Sequence, residues 1–371
     1  MIYPLVLENK LWLLMYSEGE VVNKVEVPVG RQELGETAVK YRKLLEDRFS
    51  DTNEIKKTGK QLYDWLVKPI EGELKQNQIK HLVFSLDRVT RYIPMSTLFD
   101  GEKYLIENYT IGNVLSAALT DMGDKLPVGT GNTPVLAMGL SNAVSGFNPL
   151  PNVPAELDAI VRNKTKDSQG IYPGEEFLNG AFDFRTLRDN LTGHKILHLA
   201  THGAFVPGSS DKSYLLLGTG EQLTIPKINA LTGLSNIHLV VLSACQTALA
   251  GPLQDGVEIA SAANYFLKGG AKAVMASLWS VDDASTSLTM QQFYKNLASG
   301  TPQKPMTKTE ALRQAQLSLL QGKVTAAEAL QRSIIGVVPV SGGQSTTVQS
   351  NSPDFSHPYY WAPFILIGNG L

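Results

Sequence analysis

The run Ile237-His238-Leu239-Val240-Val241-Leu242-Ser243-Ala244-Cys245 is apolar almost without a break. A strand with one wet face alternates polar and apolar residues; a continuous run reads as a strand buried on both faces, the kind found inside a parallel sheet. Lys195-Ile196-Leu197-His198-Leu199-Ala200-Thr201 is a second such run, and Val135 to Leu140 and Ala273 to Trp279 are two more. Between them lie segments with helical character at Ala155 to Arg162, Arg185 to Leu191 and Val257 to Leu267. Strands alternating with helices predict βαβ units with right-handed crossovers, so the fold class is α/β, a mostly parallel sheet flanked by helices.

Two of these strands end in reactive side chains. One stops at His202-Gly203 and the other at Cys245, the single cysteine of the chain. Open parallel sheets bind ligands at the carboxyl ends of their strands. A thiol is a strong nucleophile only as thiolate, and a nearby imidazole can take its proton and later protonate a leaving amine. The spacing alone also fits a plain alternative, a lone cysteine packed as a small hydrophobe.

The remaining chain supplies a framework. Short alternating strands around Leu5 to Leu7, Leu11 to Tyr16 and Val21 to Val27 predict a meander. Amphipathic segments at Glu33 to Arg48 and Glu54 to Lys75 predict helices, followed by strands at His81 to Asp87 and Tyr104 to Glu107. A Gly-, Asp- and Pro-rich stretch, Met122 to Thr133, is the candidate linker between an N-terminal α/β lobe, residues 1–130, and a larger lobe, residues 134–371. Asp283 to Leu297 and Thr307 to Leu320 predict helices, the second opened by a capping box of Thr307 and Glu310, and Phe364 to Ile367 predicts the last strand. Residues 322–356, rich in Ser, Gly, Gln and Thr, predict a long loop.

Composition narrows the functional classes. A formal charge of -2 gives no nucleic-acid footprint, and no stretch of about 18 apolar residues predicts a membrane span. One cysteine excludes an internal disulfide, and Met1-Ile2-Tyr3-Pro4 lacks a secretory pattern, so a cytoplasmic protein is expected. His198 and His202 lie four apart, but on a strand rather than a helix and without the following Glu of a zinc motif, so no metal is expected. Gly218-x-Gly220 lacks a third glycine and there is no phosphate loop, so no cofactor is expected.

His198-Leu199-Ala200-Thr201-His202-Gly203 and Leu242-Ser243-Ala244-Cys245-Gln246-Thr247-Ala248 together resemble motifs of the CHAT family. These are caspase-like, separase-related cysteine peptidases often associated with tetratricopeptide repeats. Asp255-Gly256, Gly269-Gly270-Ala271, Ser277 to Asp283, His357-Pro358 and Tyr360-Trp361-Ala362-Pro363-Phe364 extend the resemblance in order along the chain. It implies a caspase-like sheet preceded by the N-terminal lobe, and a cysteine endopeptidase acting on a protein substrate through His202 and Cys245. The backbone N–H groups of Gly203 and Cys245 are implied as the oxyanion hole. Asp283, with Asp282, Ser243 and Trp279, is implied to line a specificity pocket that prefers Arg over Lys before the scissile bond. Asp282 and Asp283 also read as caps of the helix that starts there. No repeat of about 34 residues occurs, so control by a separate partner or a tetratricopeptide-type domain is expected. The rival expectation is a non-catalytic CHAT-like scaffold that binds partners.

Overall fold

The computed structural model describes residues 1–17, 20–116, 120–144, 146–163, 170–205, 212–243, 246–247, 257–324 and 354–371. Cys245, the Asp255-Gly256 pair and most of the expected loop at 322–356 lie outside the described residues.

The chain opens with β1 (Ile2–Val6), β2 (Leu11–Ser17) and β3 (Glu20–Val27), an antiparallel meander. Alternate residues Leu11, Leu13 and Met15 of β2 are buried, so the meander presents one face to the core. Helices α1 (Arg31–Glu46), α2 (Thr52–Leu66) and α3 (Lys68–Gln76) pack on that face. The amphipathic stretch expected to run from Glu54 to Lys75 is broken at Val67, because Pro69 has no N–H to give and its ring would meet the preceding turn.

Strands β4 (His81–Phe84) and β5 (Thr110–Asn113) follow, with the short helix α4 (Leu105–Asn108) between them. The strand expected at Tyr104 to Glu107 is thus a correction: Glu107 Oε2 accepts the N–H of Tyr104 at 2.8 Å, which closes a helical turn. The strand lies just beyond, paired in parallel with β4.

The larger half contains β6 (Val135–Gly139), α5 (Val153–Ile160), β7 (Val161–Arg162), β8 (Tyr172–Leu178), α6 (Phe184–Asn190) and β9 (Ile196–Ala200). After β9 come β10 (Gly203–Phe205), β11 (Tyr214–Leu216), β12 (Gln222–Thr224), α7 (Ile225–Asn229), β13 (Leu239–Ser243) and β14 (Gln246–Thr247). Helix α8 (Val257–Lys268), β15 (Ala273–Ser277), α9 (Asp283–Ala298), α10 (Lys308–Leu320) and β16 (Phe364–Gly368) complete the order.

These strands form one sheet in the order β3-β2-β1-β4-β5-β16-β15-β13-β9-β6-β8-β7, and a small sheet β12-β11-β10-β14 lies beside the site. Strands β6, β8, β9, β13 and β15 are parallel neighbours, and every residue of β6, β9, β13 and β15 is buried, as continuous apolar runs require. One face carries α5, α9 and α10, and the other carries α6, α7 and α8. The sheet crosses from the first half to the second without interruption, since β16 pairs with β5 on one side and antiparallel with β15 on the other. The core is shared too, with Leu278, Trp279, Leu288 and Trp361 packed among residues of α1 and α2.

The candidate linker is tethered rather than slack. Asn369 Nδ2 donates to the carbonyls of Asp121 and Asp124 at 2.6 and 2.8 Å, and Lys272 pairs with Asp124 at 3.1 Å. At α10, Thr307 Oγ1 accepts the N–H of Glu310 at 3.1 Å, but the reciprocal half of the expected capping box does not form. The Glu310 carboxylate is engaged instead by Thr110, Arg313 and Gln314.

Candidate active site

The carboxyl ends of four parallel strands form one rim, and the candidate residues follow those strands in the sequence. Gly139, Ala200 and Ser243 are in register across β6, β9 and β13, and Leu242 is level with Ala276 of β15. Beyond those carboxyl ends come residues 140–152, His202, Cys245 and residues 278–283 respectively. A parallel sheet places chain segments that are distant in sequence at one edge by geometry alone.

The pairing on either side of the two expected catalytic residues is specific. Ala200 is opposite Ser243 in the main sheet, and Ala204 is opposite Gln246 where β10 and β14 pair in parallel. The N–H of Thr201 also donates to the Ser243 carbonyl at 3.2 Å. The segments bracketing His202 are therefore hydrogen-bonded to the segments bracketing Cys245. Gly203, the expected oxyanion donor, is buried at the start of β10.

The partly exposed His202 ring is held from the segment after β6. Its Nε2 lies 2.8 Å from the carbonyl oxygen of Asn148, and Phe147 stacks on it with centroids 4.9 Å apart. A carbonyl can only accept, so Nε2 carries a proton and, in the neutral ring, Nδ1 keeps its lone pair for another group's proton. Nothing in the sequence around Asn148 marks it for this role, because the contributing atom belongs to the backbone.

Asp282 and Asp283 divide two tasks. Asp282 caps α9, its Oδ1 accepting the N–H of Ser285 at 2.9 Å. Asp283 turns toward the N-terminus of α5, where its Oδ2 accepts the Asn152 N–H at 2.9 Å and the Asn152 side-chain amide at 2.7 Å. Burial raises the Asp283 pKa above the ordinary carboxylate value; the two bonds from Asn152 oppose that rise, and the charges of Glu156 and Asp282 add to it.

Ser243 and Trp279 face inward. The Ser243 hydroxyl donates to Glu156 Oε1 at 3.0 Å, in a residue only 1% exposed. The Trp279 indole N–H donates to the Tyr359 carbonyl at 3.1 Å, and the Arg42 guanidinium lies over its ring at 5.1 Å. Beneath the rim is a buried polar cluster that sequence reading passed over. His198 Nε2 is 2.8 Å from Glu156 Oε1, and its Nδ1 is 3.1 Å from the Tyr294 hydroxyl, whose pKa burial holds well above the usual phenol value. Glu156 and His198 each interrupt an apolar pattern, on α5 and β9, and that interruption was the available clue.

His357 serves structure. Its Nδ1 accepts the Tyr359 N–H at 3.2 Å while Nε2 reaches the Ser50 carbonyl at 3.0 Å, which fixes the entry to the short helix Pro358–Trp361. Among the described residues no group of three or more His, Cys, Asp or Glu is arranged to hold a metal ion, and no helix is long and apolar enough to cross a membrane.

Fold and rim define an α/β protein in which the strand that leads to His202 pairs in parallel with the strand that precedes Cys245 in the sequence. The chain belongs to the CHAT domain family, whose profile matches residues 56–369. It is similar to Tetratricopeptide repeat protein 28 of Mus musculus, 23% identical over 84% of this chain and 13% of that protein. The Homo sapiens protein of the same name is 29% identical over 36% of this chain and 4% of its own length. The chain thus spans a small fraction of either relative. Among solved structures it resembles the Saccharomyces cerevisiae separase–securin complex, with TM-score 0.48, 13% identity and coverage of 82% of this chain and 18% of that one. The complex of Porphyromonas gingivalis RgpB pro- and mature domains gives TM-score 0.46, 11% identity and coverage of 90% and 76%.

Proposed function

We propose that the chain is a cysteine endopeptidase in which Cys245 is the nucleophile and His202 its base and acid. The observation that carries this reading is the double bracket of parallel pairing around the two residues, together with the Asn148 carbonyl that fixes the His202 ring. The Cys245 thiol gives its proton to His202 Nδ1, and the thiolate attacks a peptide carbonyl of a protein substrate. The oxyanion is held by the N–H groups of Gly203 and Cys245, each such donor contributing about 2.7–4 kcal/mol to the transition state. His202 protonates the departing amine, and water then hydrolyses the thioester. Asp283 selects Arg over Lys before the scissile bond, and a partner or tetratricopeptide-type segment controls the activity by ordering loops around the site. The similarity to tetratricopeptide repeat proteins supports such a partner.

The test is cleavage of arginyl peptides by wild-type protein and Cys245→Ala, with labelling of Cys245 by a peptidyl electrophile and denatured protein as control. Wild-type cleavage that disappears in Cys245→Ala while the fold is retained is the expected result. Equal cleavage by both ends the proposal. Wild-type protein that neither cleaves nor labels faster than the denatured control identifies a non-catalytic scaffold.

A further inference from the structure

We infer that Glu156 is a positioning residue for the His202–Cys245 pair, an inference that rests on the catalytic reading above. One oxygen, Glu156 Oε1, joins three elements: it belongs to α5, it takes the Ser243 hydroxyl from the end of β13, and it meets His198 Nε2 on β9. The residues that follow those strands are the ones that react. Ser243 stands two before Cys245 and His198 four before His202, and β9 and β13 are directly paired.

The same short stretch of chain reaches the rest of the rim. Residues 147–156 stack on His202, accept its Nε2 proton, donate twice to Asp283 and carry Glu156. A shift of α5 relative to β9 and β13 would therefore move the ring, the carboxylate and both strand ends together. Glu156, His198 and Ser243 are 1%, 0% and 1% exposed, so the tie is made in a layer otherwise filled by Val135, Ala137, Leu157, Ile196 and Val241. Apolar side chains would fill that layer without desolvating a carboxylate, but they would not fix direction; hydrogen bonds do.

A merely stabilising cluster and a positioning one differ in how they couple to His202. Cys245 is the sole cysteine, so alkylation by iodoacetamide reads one site. The rate is to be measured for wild type, Glu156→Gln, Ser243→Ala and His202→Ala, and for the first two substitutions combined with His202→Ala. A misplaced ring can cost up to about 100-fold; Glu156→Gln and Ser243→Ala are each expected to slow alkylation about tenfold or more. Both are expected to lower kcat on an arginyl peptide with KM within about twofold of wild type. In the His202→Ala background neither is expected to slow alkylation further. Ser243→Ala leaves the Glu156–His198 contact in place, which keeps the test open should Glu156→Gln fold poorly. Unchanged rates, or slowing that persists undiminished without His202, overturn the inference. Wild type and His202→Ala alkylating equally fast overturns the dyad itself, a different result from an active wild type whose Glu156 and Ser243 variants lose nothing.

Discussion

Asn152 donates both its backbone N–H and its side-chain amide to the same oxygen of Asp283, which ties the start of α5 to the start of α9 across the candidate site. With Asp283 as the cation selector of the proposed enzyme, Asp283→Ala is expected to lower kcat/KM for arginyl peptides by roughly 10–100-fold, the loss of one charge-assisted contact. Neutral peptides should lose less, because they feel only the loosened start of α5, so the arginyl-to-neutral kcat/KM ratio is the readout. An arginine preference that survives the substitution removes Asp283 from the pocket.

The pH dependence of stability at this residue has a definite sign. Burial raises the folded-state pKa of Asp283, so the folded protein binds that proton more tightly than the unfolded chain does. The group favours folding most at pH below its ordinary unfolded value, and this contribution is lost as pH rises through the raised folded value. Above the raised folded value the ionised side chain therefore burdens the fold. Asp283→Asn is expected to be at least as stable as wild type at pH 7 in urea denaturation, with its advantage shrinking as the pH is lowered toward the ordinary carboxylate pKa. An advantage that grows on acidification contradicts the assignment.

Asp282 separates capping from recognition. Because its carboxylate caps α9, Asp282→Ala should cost about 1 kcal/mol of stability. Peptide selectivity should be unchanged. A parallel measurement of denaturation midpoint and of arginyl-to-neutral kcat/KM ratio checks both halves.

Phe147 and the Asn148 carbonyl orient the same imidazole, but only Phe147 can be removed by substitution. Phe147→Ala is expected to reduce kcat about tenfold by loosening the His202 ring, with little change in KM. Stopped turnover of a fluorogenic arginyl peptide measures it, and an unchanged kcat would show that the carbonyl alone suffices.

Gly139 is a packing position close to the rim. A Cβ there would sit 2.5 Å from Val153 Cγ1 and 3.2 Å from Leu157 Cδ2, both on α5. Gly139→Ala should therefore displace α5, costing about 1–3 kcal/mol by overpacking and lowering activity through Asn148 and Glu156 together. Denaturant titration and the alkylation rate of Cys245 report the two effects separately.

Much of the architecture is readable from the chain because buried parallel strands carry their signature within themselves: the runs containing Leu197 and Val240 form β9 and β13 close to where their apolar residues place them. Strand β8 shows the opposite case. Tyr172-Pro173-Gly174-Glu175-Glu176-Phe177-Leu178 has neither alternation nor an apolar run, and it is held by pairing with β6, where a Cβ on Gly174 would lie 1.9 Å from the Val135 carbonyl oxygen. The site divides in the same way. His202 and the Asp282–Asp283 pair announce themselves by residue type at strand ends. The Asn148 carbonyl and the partners of Glu156 depend on which helix packs over which strand, and a single sequence does not carry that information locally.

Strand β16 has a consequence for how the molecule is made. It fills the place between β5 and β15, yet residues 114–363 separate it from β5 along the chain. At ribosomal rates of about 5–20 residues per second, that interval lasts on the order of 10–50 s. Throughout it, the nascent chain carries the β5 edge unpaired, and once β15 has emerged it carries a second open edge of buried, apolar character. Substitutions within Phe364–Gly368 should accordingly appear first as low yield and aggregation during expression, before any defect in the purified protein can be seen.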